Sequence, residues 1–380
     1  MSERLKKEPF GVKIIYWIKK NTVTCIAAFV AIITMFLVPP DAEYFNYVDW
    51  KTISCLFLTL AVVCALRNIK FFTILARRLV MLAGNLRTLF ITLIVITFVG
   101  SMIIANDMAL ITFLPLGYFA LRVAKEETYM AYLFVLQNIS ANLGGMLTPF
   151  GNPQNLYLYS YFKIPTPEFC KIMFPSFALA VALLILACLP VKPVRFSISE
   201  KFPEKLNRPK AILYGILFLF SLLIVFRVIP FYLGLLIIPG ILLFIDRDAL
   251  LMVDYGLLGT FFFFFIFAGN VARIDAVHQV MSTLLQKDPL LVSALSCQLI
   301  SNVPSAILLS KFTVDYAPLL LGVNIGGTGT LIASLASLIT FHEFKILYPD
   351  QTKKYLLLFT ALNVGFLVMM LIASKIFLSL

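Results

Sequence analysis

The sequence predicts an all-α integral membrane protein built as an inverted structural repeat, with two re-entrant hairpins and two broken transmembrane helices. Three observations carry that expectation. Of the 380 residues, 61% are hydrophobic and 13% charged, against roughly 45–50% and about 25% in soluble domains, so lipid rather than water must cover most of the surface. A short phrase is written twice inside apolar segments, as Asn142-Leu143-Gly144-Gly145-Met146-Leu147-Thr148 and as Asn324-Ile325-Gly326-Gly327-Thr328-Gly329-Thr330. Two further apolar stretches carry polar residues at their middles, Asn106-Asp107 and Ser301-Asn302. Unpaired backbone at such breaks is tolerated at membrane depth only where it lines a cavity or holds an ion.

The elements follow in order. Arg4, Lys6, Lys7, Lys13, Lys19 and Lys20 precede residues 22–38, which end at Pro39-Pro40 without a small-x-small cleavage pattern and read as an uncleaved first span. Residues 52–66 make a second span. Residues 71–82, with Arg77 and Arg78, read as an amphipathic interfacial helix. The apolar stretch 88–124 is too long for one crossing of about 20 residues and reads as a hairpin with Asn106-Asp107 at its tip. A carboxylate at bilayer depth costs at least roughly 2.5–3.5 kcal/mol, so Asp107 is expected to face a wet site. Residues 129–162 form a broken helix in which Asn152 is expected to cap, and Pro153 to begin, a second half-helix. A span at 169–189 closes the first repeat, residues 1–190.

A cytoplasmic loop, 191–210, and a connecting span within 211–230 lead to the second repeat, 231–380. It follows the same order: spans at 232–245 and 255–267, an amphipathic stretch at 271–286 with Arg273, Asp275 and His278, a hairpin at 289–311, a broken helix at 316–341 and a span at 355–378. Pro304 is expected at the first helical position after the second tip. The run Phe261 to Phe265 needs cover from lipid or the bundle interior.

Parity sets the symmetry. Four crossings return the first half to its starting side, and the connecting span moves the chain across, so the second half begins on the opposite face. Most of the 31 Lys and Arg then lie inside, while Asp41, Glu43 and Asp49 lie outside. This places the amino terminus in the cytoplasm and the carboxyl terminus outside a cell membrane, inner or plasma, that the chain crosses many times. The basic excess is therefore assigned to membrane orientation, not to nucleic acid. The six cysteines lie mostly in apolar segments without CxxC or His-paired spacing, so no disulfide or metal framework is expected.

Half-helix amino termini present free N–H groups and attract anions, while half-helix carboxyl ends expose carbonyls suited to Na⁺. The candidate site residues are accordingly Asn106 and Asp107 at the first tip and Ser301 and Asn302 at the second. The first break contributes Asn142, Gly144, Gly145, Thr148, Asn152, Gln154 and Asn155, and the second Asn324, Gly326, Gly327, Thr328 and Thr330. A Gly-Gly pair in a membrane helix often serves close packing, and a lone Asn is often interhelical glue. The shared order, Asn106 then Asn142 in one half and Asn302 then Asn324 in the other, is what points to function.

Asn142 to Asn155 reads Asn-Leu-Gly-Gly-Met-Leu-Thr-Pro-Phe-Gly-Asn-Pro-Gln-Asn, and here the chain resembles the ion transporter superfamily, which includes citrate and dicarboxylate carriers, arsenite permeases and Na⁺/H⁺ antiporters. The resemblance covers most of the chain. It implies the inverted repeat, assembly as a homodimer through a scaffold region, and secondary active transport of a small anion or oxyacid, either citrate- or dicarboxylate-like or an inorganic oxyanion. Na⁺ or H⁺ would be the coupling ion, with Na⁺ near Asn106, Asp107 and Gly145 and near Asn302 and Gly327. In the divalent-anion branch both tips read Ser-Asn-Thr; here they read Ala105-Asn106-Asp107 and Ser301-Asn302-Val303, and Asp107 is similar to the arsenite-permease and antiporter branches. Na⁺/H⁺ exchange at Asp107, arsenite-type permeation and, more remotely, a passive channel are the alternatives. No GxxxxGK[ST] loop is present, so energy is expected from an ion gradient or a separate ATPase subunit, without a cofactor. His278 and His342 are the only histidines, neither lies in HExxH, and no second acid is expected at the depth of Asp107, so the chain is not expected to be an enzyme.

Overall fold

Apolar runs in lipid must close their backbone hydrogen bonds locally, and the chain does so with helices joined by short loops. The computed structural model describes residues 18, 21–195 and 206–379. Among these no β-strand forms, and one isolated antiparallel bridge joins Asn85 to Arg195. The basic residues before Asn21 and the loop residues 196–205 lie outside the described residues.

The first half runs α1 (Thr22–Leu37), a short α2 (Tyr44–Tyr47), α3 (Trp50–Asn68), α4 (Phe71–Val80), the pair α5 (Leu86–Ile104) and α6 (Asn106–Val123), the broken pair α7 (Met130–Gly144) and α8 (Pro153–Tyr161), and α9 (Thr166–Cys188). After α10 (Arg208–Val225) the second half repeats the series. It runs α11 (Phe231–Ile245), a short α12 (Arg247–Leu251), α13 (Tyr255–Ala272), α14 (Asp275–Lys287), the pair α15 (Pro289–Ile300) and α16 (Asn302–Leu309), the broken pair α17 (Tyr316–Ile325) and α18 (Leu335–Leu347), and α19 (Thr352–Ser379). The caps repeat as well. Asp49 accepts the Thr52 N–H at the start of α3, and Asp254 accepts the Leu257 N–H at the start of α13.

Packing between the halves is reciprocal. The first long helix of each half packs on the second of the other, α1 on α13 and α11 on α3. The returning helix of each paired set packs on the far side of the other half's break, α6 on α18 and α16 on α8. Within each half the outgoing helix packs on the near side of its own break, α5 on α7 and α15 on α17. Of the phenylalanine run on α13, Phe261, Phe264 and Phe265 are buried, and the Phe265 ring lies tilted against Tyr157 with centroids 5.4 Å apart.

Loop contacts join chain ends that parity assigns to one face. On one face Arg87 reaches the Val191 carbonyl at 2.9 Å, Asn68 and Tyr214 both bond Asp246 at 2.9 Å, and Tyr348 bonds Glu127 at 2.7 Å. On the other Arg273 pairs with Asp41 at 2.7 Å and Lys375 with Asp288 at 2.7 Å.

Among the described residues six helices are long and apolar enough to cross a membrane: α3, α5, α9, α10, α13 and the last, taken from Pro349. The 19-residue α5 is among them, so length alone does not stop the first hairpin short of a full crossing. Two local expectations are corrected. Pro304 is the third residue of α16, because Ser301 rather than Asn302 or Val303 is the cap. The stretch 271–286 begins inside α13, and its amphipathic helix starts only at Asp275, after a break at Arg273 and Ile274.

Candidate functional site

Each paired set turns on a single residue. Ala105 has φ 67° and ψ 153°, and Ser301 has φ 75° and ψ 160°, a left-handed conformation that costs residues other than glycine about 1–3 kcal/mol. The next residue is asparagine in both. Asn106 Oδ1 accepts the Asp107 N–H at 3.0 Å, and Asn302 Oδ1 accepts the Val303 N–H at 2.9 Å. In both turns this bond directs the asparagine amide nitrogen away from the N–H it caps.

Both tips line one cavity of about 260 Å³. The starts of α8 and α18 reach it through Pro153, Gln154, Leu335 and Leu338, so the amino termini of α6, α8, α16 and α18 converge there. This is the four-ended site that the two breaks and two tips foreshadow. Asn106, Asp107, Gln154, Ser301 and Asn302 are the expected residues on its wall. Thr24, Asp254 and Thr260, on the opening turns of α1 and α13, also line it and were not expected. Asp254 is a second acid on the cavity that also carries Asp107. Its only signal in the sequence was that of a helix cap before Tyr255, which gives no hint of what the helix start faces.

Asn142, Asn152, Asn155 and Asn324 lie behind that wall as a buried amide network, whereas Thr148 is half-buried and Thr330 is exposed. Asn106 Nδ2 donates to Asn142 Oδ1 at 3.2 Å, and Asn142 Nδ2 donates to its own helix at the Asn138 carbonyl. Asn152 sits at the cap position of α8, as expected, but its side chain caps nothing. Its Nδ2 instead reaches the Asn142 carbonyl at 3.3 Å and Asn324 Oδ1 at 3.2 Å, tying the two breaks together. Gln154 Nε2 donates to the same oxygen at 3.5 Å, and Asn324 Nδ2 donates to Asn155 Oδ1.

The half-helix carboxyl ends are closed by side-chain amides. In the first break Asn155 Nδ2 donates to the carbonyls of Gly145, Met146 and Thr148 at 3.1, 3.2 and 3.3 Å, and Thr148 Oγ1 donates to Met102 at 2.8 Å. In the second the closing amide comes from the hairpin: Gln298 Nε2 donates to the carbonyls of Gly326 and Thr328 at 2.8 and 3.1 Å, while its Oε1 accepts the Thr330 N–H at 2.8 Å. Thr328 Oγ1 turns back to Ile325. Gly329, at φ 116°, holds the left-handed turn that brings this segment around Gln298. Gln298 was absent from the sequence expectation, because a glutamine inside an apolar helix gives no sign of which backbone it meets.

The paired glycines divide their roles. A Cβ on Gly144 would overlap the Phe98 carbonyl on α5, and one on Gly326 would stand 2.9 Å from carbons of Ala294 and Cys297 on α15. The first glycine of each pair is therefore a packing residue against a hairpin. The second faces polar groups. Gly145 lies against Asn152 Oδ1, and a Cβ on Gly327 would stand 3.2 Å from Asn302 Nδ2 and 3.6 Å from Asn142 Oδ1.

The wall of the cavity carries unanswered acceptors. Asp107 Oδ1 and Gln154 Oε1 are buried without a hydrogen-bond partner, as is Asn152 Oδ1 in the layer behind. No cluster of three His, Cys, Asp or Glu occurs among the described residues, so a cation here would be met by amide, carbonyl and hydroxyl oxygens beside one or two carboxylates.

Helices broken in mid-course, with their ends gathered on one cavity that carries amides and carboxylates, define a polytopic membrane protein of the transporter class. The chain belongs to the citrate transporter family, whose model matches residues 12–321, and with it to the ion transporter superfamily. It is 34% identical over 308 residues to an uncharacterized transporter of Methanocaldococcus jannaschii, covering 78% of this chain and 82% of that protein. It is 28% identical over 298 residues to the inner membrane protein YbiR of Escherichia coli, covering 77% and 79%. A shorter match of 172 residues, 29% identical and covering 44% of this chain and 35% of the other, is to the silicon efflux transporter LSI3 of rice. The names of these relatives and of the family point to membrane transport rather than catalysis.

Proposed function

We propose that the chain is a secondary active transporter that moves a small inorganic oxyacid or its anion, coupled to Na⁺ or H⁺. The convergence of both hairpin tips and four half-helix amino termini on one cavity carries this reading. N–H groups at those helix starts would hold the oxygens of an oxyacid. Asp107 and Asp254 stand on the same wall, and among the described residues neither Lys nor Arg lines it, so a citrate-like multiple anion would meet like charge there. A small weak acid that enters largely neutral fits better. The relative named for silicon efflux is in accord with that class.

The halves are read as an inverted repeat with re-entrant hairpins and the amino terminus inside, on the support of reciprocal packing and face-matched loop contacts. The cavity reaches the starts of α1 and α13, the ends that parity puts inside, so this conformation is read as inward-facing. The outer faces of α10 and α11, with Ile212, Ile216, Leu236 and Phe244 exposed, would meet lipid or a second copy of the chain. Na⁺/H⁺ exchange at Asp107 is the second reading, favoured by its unpartnered Oδ1.

Purified protein in proteoliposomes tests the choice. Arsenite or silicic acid should enter saturably under an imposed Na⁺ or H⁺ gradient, and citrate should not. Substrate-free Na⁺/H⁺ exchange alone would favour the second reading, and non-saturable flux without counter-transport would mean a channel.

A further inference from the structure

We propose that Asp107, Gln154 and Asp254 form a site for one monovalent metal cation of the Na⁺ type on the cavity wall, which retains Asp107 of the Na⁺ position expected from the sequence and replaces Asn106 and the Gly145 carbonyl by Gln154 and Asp254. The proposal rests on the cavity being the transport site, and adds the identity and ligands of its coupling ion.

The orientation of Gln154 is the first support. Asn324 Nδ2 donates to the Leu320 carbonyl at 2.8 Å, which fixes the amide so that Asn324 Oδ1 must accept. Gln154 Nε2 gives its hydrogen bond to that oxygen, leaving Oε1 directed elsewhere. Gln154 is only 1% exposed and lines the cavity, and its Oε1 has no partner. Asp107 Oδ1, on the same wall, has none either. An ionised Asp107 and the Gln154 carbonyl oxygen cannot satisfy one another, and a cation in the cavity would answer both at once.

The break carbonyls are already engaged. Asn155 Nδ2 holds the Gly145 carbonyl, and Asn106 Nδ2 holds Asn142 Oδ1, the groups a cation seated at the first break would use. Asp254 supplies the remaining charge. One of its oxygens caps α13 by accepting the Leu257 N–H at 3.0 Å, which fixes the carboxylate at the end of the cavity that Thr24 and Thr260 also line. An ion entering there meets Asp254 first and Asp107 with Gln154 deeper. Oxygen donors with two carboxylates, and among the described residues no third acid, His or Cys grouped with them, suit a hard cation rather than a soft metal, and MgCl₂ in place of NaCl in a thermal-unfolding titration should leave the midpoint unchanged if the ion is monovalent.

The test is a thermal-unfolding titration of the full chain in lipid nanodiscs, exchanging choline chloride for NaCl at constant ionic strength, beside uptake by the same protein in proteoliposomes. A bound ion raises the unfolding midpoint with a saturable dependence on its concentration. The wild-type protein should show that rise. Asp107→Asn and Asp254→Asn should each shift the half-saturating Na⁺ concentration upward at least tenfold. Both are isosteric, and Asn caps a helix as well as Asp does, so folding is retained in Asp254→Asn. Gln154→Leu should weaken Na⁺ in the same direction. Equal midpoints in Na⁺ and choline, or a wild-type Na⁺ dependence in Asp254→Asn, would overturn the site. Na⁺ binding without oxyacid uptake would leave the site standing and remove the transport reading, whereas proton-driven uptake indifferent to Na⁺ would do the reverse.

Discussion

The two breaks share a framework and differ in chemistry. Each has a tip asparagine held by its own helix start, a first glycine packed on the outgoing hairpin helix, and a second glycine turned to amides. The first break is closed from within its own helix by Asn155, and its tip carries a carboxylate. The second is closed by Gln298 of its hairpin, and the residue matching Asp107 is Val303. The two breaks share the backbone geometry and differ in their polar side chains, so on the proposed reading charge coupling falls to the first tip, while the second is tied to its hairpin by Gln298.

The strongest way to break that comparison is to remove each tip asparagine. Asn106→Ala and Asn302→Ala should each reduce oxyacid uptake by roughly tenfold or more, the consequence of losing an interaction of about 1–3 kcal/mol in the occupied state. Uptake at the wild-type rate in either variant would reduce that tip to packing.

Smaller effects should separate the glycines by stability. Gly144→Ala and Gly326→Ala force α7 off α5 and α17 off α15, and should cost about 1–3 kcal/mol as overpacking does, read as a lower unfolding midpoint. Gly327→Ala has its nearest neighbours at 3.2 Å and should fold nearly normally while slowing transport. Equal stability losses at all three would contradict the division of roles.

The smallest expected effect is on pH dependence. The Arg273 hydrogen bond holds Asp41 below its ordinary value of 3.8, and the Lys375 hydrogen bond does the same for Asp288. Because both folded-state values are depressed, their contributions are complete above pH 3.8 and fall away as pH drops through the lower folded values. Both carboxylates are accessible to water, so the loss should be slight. Asp288→Asn should flatten that part of the unfolding profile of the second hairpin and change nothing near neutral pH.

Much of the fold was legible because lipid leaves few options. Both tips and the start of α8 at Pro153 follow from apolar length, misplaced polar residues and a proline placed just after an asparagine at the cap position, where it favours a helix start. The site was legible only in part. Asn106 and Asn302 stood out as polar residues in apolar surroundings, but the separation of cavity wall from buried network depends on side-chain direction, which spacing does not give. Asp254 and Gln298 were hidden for a related reason. One reads as an ordinary cap and the other as a solitary amide, and each acquires its role only when the opposite half of the molecule is packed against it.

Single cysteines introduced at Lys192 and at Ser379 in a background without the native cysteines, labelled with an impermeant maleimide in intact cells and in inside-out vesicles, test the inverted repeat most directly. Parity puts Lys192 inside and Ser379 outside, so each should label in only one preparation, and in opposite ones. Labelling of both from the same side would contradict the inverted relation between the halves, and with it the reading of the cavity as a site shared by two oppositely oriented repeats.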